Sequence, residues 1–183
     1  MPVNKFSDAL LGFECDIPDG WTVLPGAWAR KAKLTAASTS EKLEELLKAS
    51  TNTPFLSMQQ VQNDPDESVP MIQCTAKSLP VVHQMGGPDG VIDVVLAHME
   101  SAYPDFRLIQ RLSPYLTAGA AGVYMKAAMT ALNEHGVKFS CASEVILLLA
   151  SRYCLIVGFS GPFKPDKRPS ADFDAFVRSI RVE

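Results

Sequence analysis

Apolar and polar residues alternate along Phe13-Glu14-Cys15-Asp16 and then meet Pro18-Asp19-Gly20, the pattern of a half-buried strand entering a tight turn. Trp21 follows directly. A large aromatic behind a glycine turn can fold back over a sheet edge and bury on the order of 200 Å², so it reads as a packing peg, with short extended stretches at 21–23 and around 28–34. Ser38 and Glu41 have capping-box spacing, Leu43, Leu46 and Leu47 form one stripe, and Glu44 stands four residues before Lys48, which predicts a short helix. About ten residues do not hold a helix alone in water, so that stripe must dock.

Two extended segments, 55–61 and 71–77, flank the polar loop QNDPDESVP and read as a hairpin. A second helix begins at Gly86-Gly87-Pro88-Asp89-Gly90, where Pro88 suits the first turn and Asp89 complements the helix dipole. It stops at Tyr103, because Pro104 disfavours helical geometry before it. Its inward face is Ile92, Val95, Leu96, Met99 and Tyr103.

From Phe106 onward the texture is that of strands. A three-residue loop Glu134-His135-Gly136 sets Asn133 opposite Val137, so residues whose numbers sum to 270 face each other. Lys126 then meets Glu144 and Thr130 meets Ser140 on one face, while Met125, Ala127, Met129 and Ala131 meet Val145, Ser143, Cys141 and Phe139 on the other. Residues 145–149 are apolar on both sides, and after the Ser151-Arg152 turn a second apolar run covers 153–159. Such a sheet must be covered on both faces, which leaves no room there for a reactive cavity. The covers are helices, so the fold class is α+β: a three-layer α/β/α sandwich on a largely antiparallel sheet. The last helix fits, with Ser170 as cap, Asp172 and Asp174 in its first turn, Phe173, Phe176, Val177 and Ile180 on one side, and Arg178 and Arg181 at its end.

A length of 183 residues, 47% of them apolar and 20% charged, suits one core, and the chain reads as a single domain over residues 1–183. The net charge of −3 and the lack of a basic run give counterion release no source, which sets nucleic acid aside. The opening MPVNKFSDALLGFECD has too short an apolar step for a leader or lipoprotein signal, and no segment approaches the roughly 18 apolar residues of a membrane span. Cys15, Cys74, Cys141 and Cys154 are widely separated, which favours reduced, buried thiols and a cytoplasmic setting.

The order strand, turn, helix, two strands, helix, four strands, helix, opened by FECDIPDGW and closed by FDAFVRSIRV, resembles the PsbP-like family. That family also takes in a Ran-binding nuclear-transport factor, bacterial DcrB-like proteins and bacterial secretion-effector chaperones. The resemblance spans nearly the whole chain and implies the same sandwich and a non-enzymatic binding or assembly role. Many relatives carry export leaders or lipid anchors that this sequence does not display, which argues against a membrane-surface or photosynthetic role.

Local chemistry adds little to that. Trp28, beside Pro25, Gly26, Arg30 and Lys31, suggests a surface loop where an aromatic and cations could touch a partner, so Trp28 and Arg30 are the partner-binding candidates, although packing is the better reading of Trp28. His83 in a loop, His98 at a helix boundary and His135 at a hairpin tip have no second ligand or carboxylate at a defined spacing. The Gly86–Gly90 run has no Gly-Lys-Ser ending, and Asp89 would repel phosphate. Gly158-Phe159-Ser160-Gly161 falls short of a nucleophile elbow, and Ser160 reads as a loop residue. Asp64, Asp66 and Glu67 are not spaced as a calcium loop, and the methionines 58, 71, 85, 99, 125 and 129 read as core filler. No catalytic, cofactor or metal residue is assigned. The expectation is a non-catalytic protein-binding module: an adaptor or a chaperone-like protein, bacterial and secretion-associated, without cofactor and able to form a homodimer through a sheet edge. The alternatives are a small-molecule binder or weak hydrolase with a dispersed pocket, and a toxin-immunity protein.

Overall fold

The computed structural model describes residues 4–24, 53–61, 69–117, 120–132, 138–163 and 170–182. Alternating sequence becomes strand: β1 (Lys5–Asp8), β2 (Phe13–Asp16), β3 (Trp21–Val23), β4 (Leu56–Gln60) and β5 (Met71–Ser78) lead into the helices α1 (Leu79–Gln84) and α2 (Gly87–Ala102). The long strands β6 (Arg107–Thr117), β7 (Ala120–Leu132), β8 (Lys138–Leu149) and β9 (Tyr153–Pro162) follow, then helix α3 (Ala171–Ser179) and the short β10 (Arg181–Val182).

Seven strands form one sheet in the order β3-β4-β5-β9-β8-β7-β6, with every neighbour antiparallel. A second sheet has the order β1-β2-β10. The β7–β8 register runs from Gly122 opposite Leu148 to Leu132 opposite Lys138, so every pair sums to 270 as the loop geometry requires.

Burial divides by face, as period-two alternation demands. On one side Trp21, Met58, Ile72, Tyr124, Ile146 and Val157 pack with Phe13 of the small sheet and with Phe173, Phe176 and Val177 of α3. On the other side Val123, Met125, Met129, Val145 and Leu147 pack with Val82 of α1 and Val91 and Ile92 of α2. The seven-stranded sheet therefore has helices on both faces, and the fold is the α+β sandwich that the pattern at 145–149 implies. Nine residues of α3 would not be helical alone; its three buried side chains, at about 2 kcal/mol each, hold it in place.

Several local expectations change. Leu149 is 41% exposed, because the strand leaves the covered region one residue before it ends. Residues 79–84 form α1, too short for its periodicity to register, and His83 is an exposed residue of that helix rather than of a loop. Ser160 lies inside β9, opposite Met71 and Ser143, because the ladders on both sides carry the strand past Gly161. Ser170 occupies the N-cap position of α3, yet its hydroxyl makes no cap bond and is used elsewhere. α3 ends at Ser179, so Arg181 belongs to β10. The predicted helix at 38–48 and the extended stretch at 28–34 lie outside the described residues.

Candidate functional site

Strand β6 is the last strand of the large sheet, so among the described residues one row of its backbone donors and acceptors has no neighbouring strand. Its sequence, RLIQRLSPYLT, is amphipathic in an unusual way: Leu108, Leu112 and Leu116 are 45%, 36% and 76% exposed. Against β7, Leu108 lies opposite Ala127, Leu112 opposite Tyr124 and Leu116 opposite Ala121, with register shifts between Leu108 and Gln110 and between Leu112 and Tyr115. These shifts decide which side of the sheet each leucine takes.

The strand is fixed in place from the α2 side. The Arg111 guanidinium donates to Asp93 at 2.6 Å and to Asp89 at 2.7 Å, and the Ser113 hydroxyl donates to the second Asp89 oxygen at 2.8 Å. The Arg111 and Ser113 hydrogen bonds hold the Asp89 carboxyl below its ordinary range. The dipole-matched acid of the sequence reading thus also clamps the edge strand.

Beside α3 a groove of about 670 Å³ opens at the end of the β6–β7 pair, where residues of both sheet faces border it: Tyr115, Leu116, Thr117, Ala120, Asp174 and Arg178. Asp174 and Arg178 bridge one another at 2.8 Å, and the Tyr115 ring lies against that of Tyr124 with centroids 5.3 Å apart. Beyond Tyr124 lies a buried charged pair: Lys126 Nζ stands 3.4 Å from Glu144 Oε1, and both side chains are closed to solvent. Glu144 accepts from the Tyr124 hydroxyl at 3.1 Å, from the Ser170 backbone N–H at 3.1 Å and from the Ser170 hydroxyl at 2.6 Å. Burial, reinforced by the Glu144 charge and hydrogen bond, pushes the Tyr124 hydroxyl well above its ordinary range, so it remains a donor. The Lys126–Glu144 pairing was legible as register; its burial was not, because depth depends on α3 lying over it. This arrangement ties helix to sheet, and Glu144 takes the Ser170 groups that would otherwise end the helix unpaired.

A second cleft, about 640 Å³, lies at the opposite end of β7 and is bordered by Tyr103, Asp105, Thr130 and Lys138. Thr130 donates its N–H and hydroxyl to Asp105 at 3.1 and 2.6 Å, and these bonds hold that carboxyl below its ordinary range.

All four cysteines are buried. Burial pushes the Cys15 and Cys154 thiols up to about 12 and raises Cys74 and Cys141 as well. A thiol raised this far is protonated at pH 8, so an aromatic disulfide reagent is expected to label none of the four in the folded protein within minutes and all four in 6 M guanidinium. Rapid labelling of a native thiol would contradict the packing.

The residues singled out from sequence do not converge. Trp28, Arg30, His135 and the acidic group at 64–67 lie outside the described residues. His83 and His98 are exposed on separate helices, and Gly86 takes a left-handed conformation at the N-cap of α2. Met58, Met125 and Met129 are core, and Met71, Met85 and Met99 are partly buried. Among the described residues no group of three or more His, Cys, Asp or Glu could hold a metal ion, and no helix is long and apolar enough to cross a membrane. The leucine set of β6 went unread, although its signal, leucines four residues apart in a polar strand, is present in the sequence.

No family model and no curated protein matches the chain. Among solved structures, cyanobacterial PsbP (CyanoP) from Synechocystis sp. PCC 6803 is similar with a TM-score of 0.52 and 15% identity, over 99% of this chain and 92% of that one. A Bacteroides thetaiotaomicron VPI-5482 structure has a TM-score of 0.47 and 11% identity; it covers 100% of this chain, which spans only 49% of its length. A Pseudomonas aeruginosa protein of unknown function has a TM-score of 0.41 and 10% identity, over 87% of this chain and 83% of that one. The fold is PsbP-like.

Proposed function

We propose that the chain is a non-catalytic protein-binding module, adaptor- or chaperone-like, that engages protein through the β6 side of its large sheet. The observation that carries this reading is the exposure of Leu108, Leu112 and Leu116 on a terminal strand. Single exposed apolar residues are ordinary, but three on one outer strand supply what strand addition needs: backbone groups for affinity and side chains for specificity. The charged groups beside the edge support it too, since Arg111, Asp89 and Asp93 are engaged with each other and hold the strand still. A cytoplasmic setting accords with four free, buried thiols. The PsbP-like fold is compatible with this role and does not choose it.

The test is affinity capture with the wild-type chain and with the Leu116→Glu variant. Leu116 is so exposed that the substitution is expected to change stability by no more than about 0.5 kcal/mol, while a charge on this leucine-bearing edge reduces capture of a reproducible partner at least tenfold. A variant that captures the same proteins equally well, and self-associates as the wild type does, would rule the edge out.

A further inference from the structure

We infer that the protein occupying the β6 edge is a second copy of this chain, paired β6 to β6 about a two-fold axis that is normal to the sheet and passes at Leu112. The inference rests on the reading of this edge as protein-binding and names its occupant. The leucines at 108, 112 and 116 are evenly spaced, so an antiparallel pairing centred on Leu112 sets Leu112 against the partner's Leu112 and Leu108 against the partner's Leu116. All three exposed leucines of each copy are matched by leucines.

The faces agree as well. A two-fold normal to the sheet keeps each face on its own side, so paired side chains must project the same way. Leu108 lies opposite Ala127 in the α2-side core, and Leu116 lies opposite Ala121, an exposed residue that strand alternation puts on the same face of β7, whereas Leu112 lies opposite Tyr124 on the α3 side. The α2-side leucines therefore meet each other, and the α3-side leucine meets its own copy on the axis.

Charge is compatible with the same register. Arg107 faces the partner's Thr117 and Arg111 faces the partner's Ser113, so no like charges are opposed, and Arg111 already carries its own Asp89 and Asp93. Pro114 lies in the irregular stretch between Leu112 and Tyr115 and lacks an N–H, so each strand is short of a ladder donor there and the side-chain contacts carry more of the pairing. An unrelated partner strand would have no need of this internal symmetry; a copy of β6 requires it.

Light scattering across a concentration series should give a particle of about twice the 19.9 kDa chain mass. Leu112→Glu sets two carboxylates face to face and should raise the dissociation midpoint at least tenfold. Leu112→Cys reads the register directly, because the native thiols are buried and the new one faces itself. Mild oxidation should cross-link it at least tenfold faster than Glu14→Cys, an exposed control on the small sheet. Leu108→Cys and Leu116→Cys should link slowly alone and rapidly when mixed. A wild-type chain that stays monomeric, or a Leu112→Cys rate no higher than the control, overturns self-pairing. If capture of another protein is nonetheless lost in Leu116→Glu, the edge still binds protein and only its occupant was misnamed; if capture is unaffected as well, both readings fall.

Discussion

Lys126→Met is expected to lower the unfolding free energy by about 3–5 kcal/mol, the loss seen when one partner of a buried ion pair is removed and the other charge stays enclosed. Glu144 is fully buried, and among the described residues its remaining partners, the Tyr124 hydroxyl and the Ser170 N–H and hydroxyl, supply hydrogen bonds without a counter-charge. The stranded carboxylate must then take up a proton or pull α3 away from the sheet. The double variant Lys126→Met/Glu144→Leu should recover part of the loss, since it removes both charges, but not all of it, because Tyr124 and Ser170 lose an acceptor. Urea unfolding followed by circular dichroism measures both. A cost below about 1 kcal/mol for Lys126→Met would mean that water reaches the pair and that the sandwich is not closed over it.

Trp21→Ala should cost a comparable amount, about 3–5 kcal/mol, and Trp21→Phe only about 1–2 kcal/mol. Trp21 is 6% exposed within the α3-side core, and its indole N–H donates to Asp172 at 3.2 Å. Gln60, its cross-strand partner, also donates to Asp172, at 3.4 Å. Asp172 sits in the first turn of α3, where a negative charge is favoured by the exposed backbone N–H groups. The tryptophan thus joins β3, β4 and α3 at one point. Alanine leaves a cavity there, whereas phenylalanine keeps most of the apolar contact and loses the hydrogen bond. Chemical denaturation compares the two; equal costs would show that the hydrogen bond rather than the packing dominates.

How far these features could be seen in advance follows from their range. The β7–β8 register needed only a loop of defined length, and the two-sided burial of Val145, Ile146, Leu147 and Leu148 needed only the loss of alternation. The inward face of α3 and the end of α2 at Tyr103 likewise depend on residues within a turn or two of each other. β1 and α1 escaped notice because four half-polar residues and six helical ones are too few to show a period. Ser160 was misplaced for a related reason: its local glycines suggest a loop, while the strands on either side of β9 impose extension.

The candidate interaction edge belongs with the features that distance hides. The sequence by itself determined the layered α+β sandwich, the covering of both sheet faces and the role of Trp21 as a packing residue, because periodicity and turn chemistry act over a few neighbouring residues. Only the tertiary structure decided that β6 would lie at the rim and display its leucines, and that Lys126 and Glu144 would be enclosed beneath α3. Both depend on strand order and layer contacts between residues far apart along the chain, where the same leucine or lysine is core or surface according to what the rest of the fold places over it.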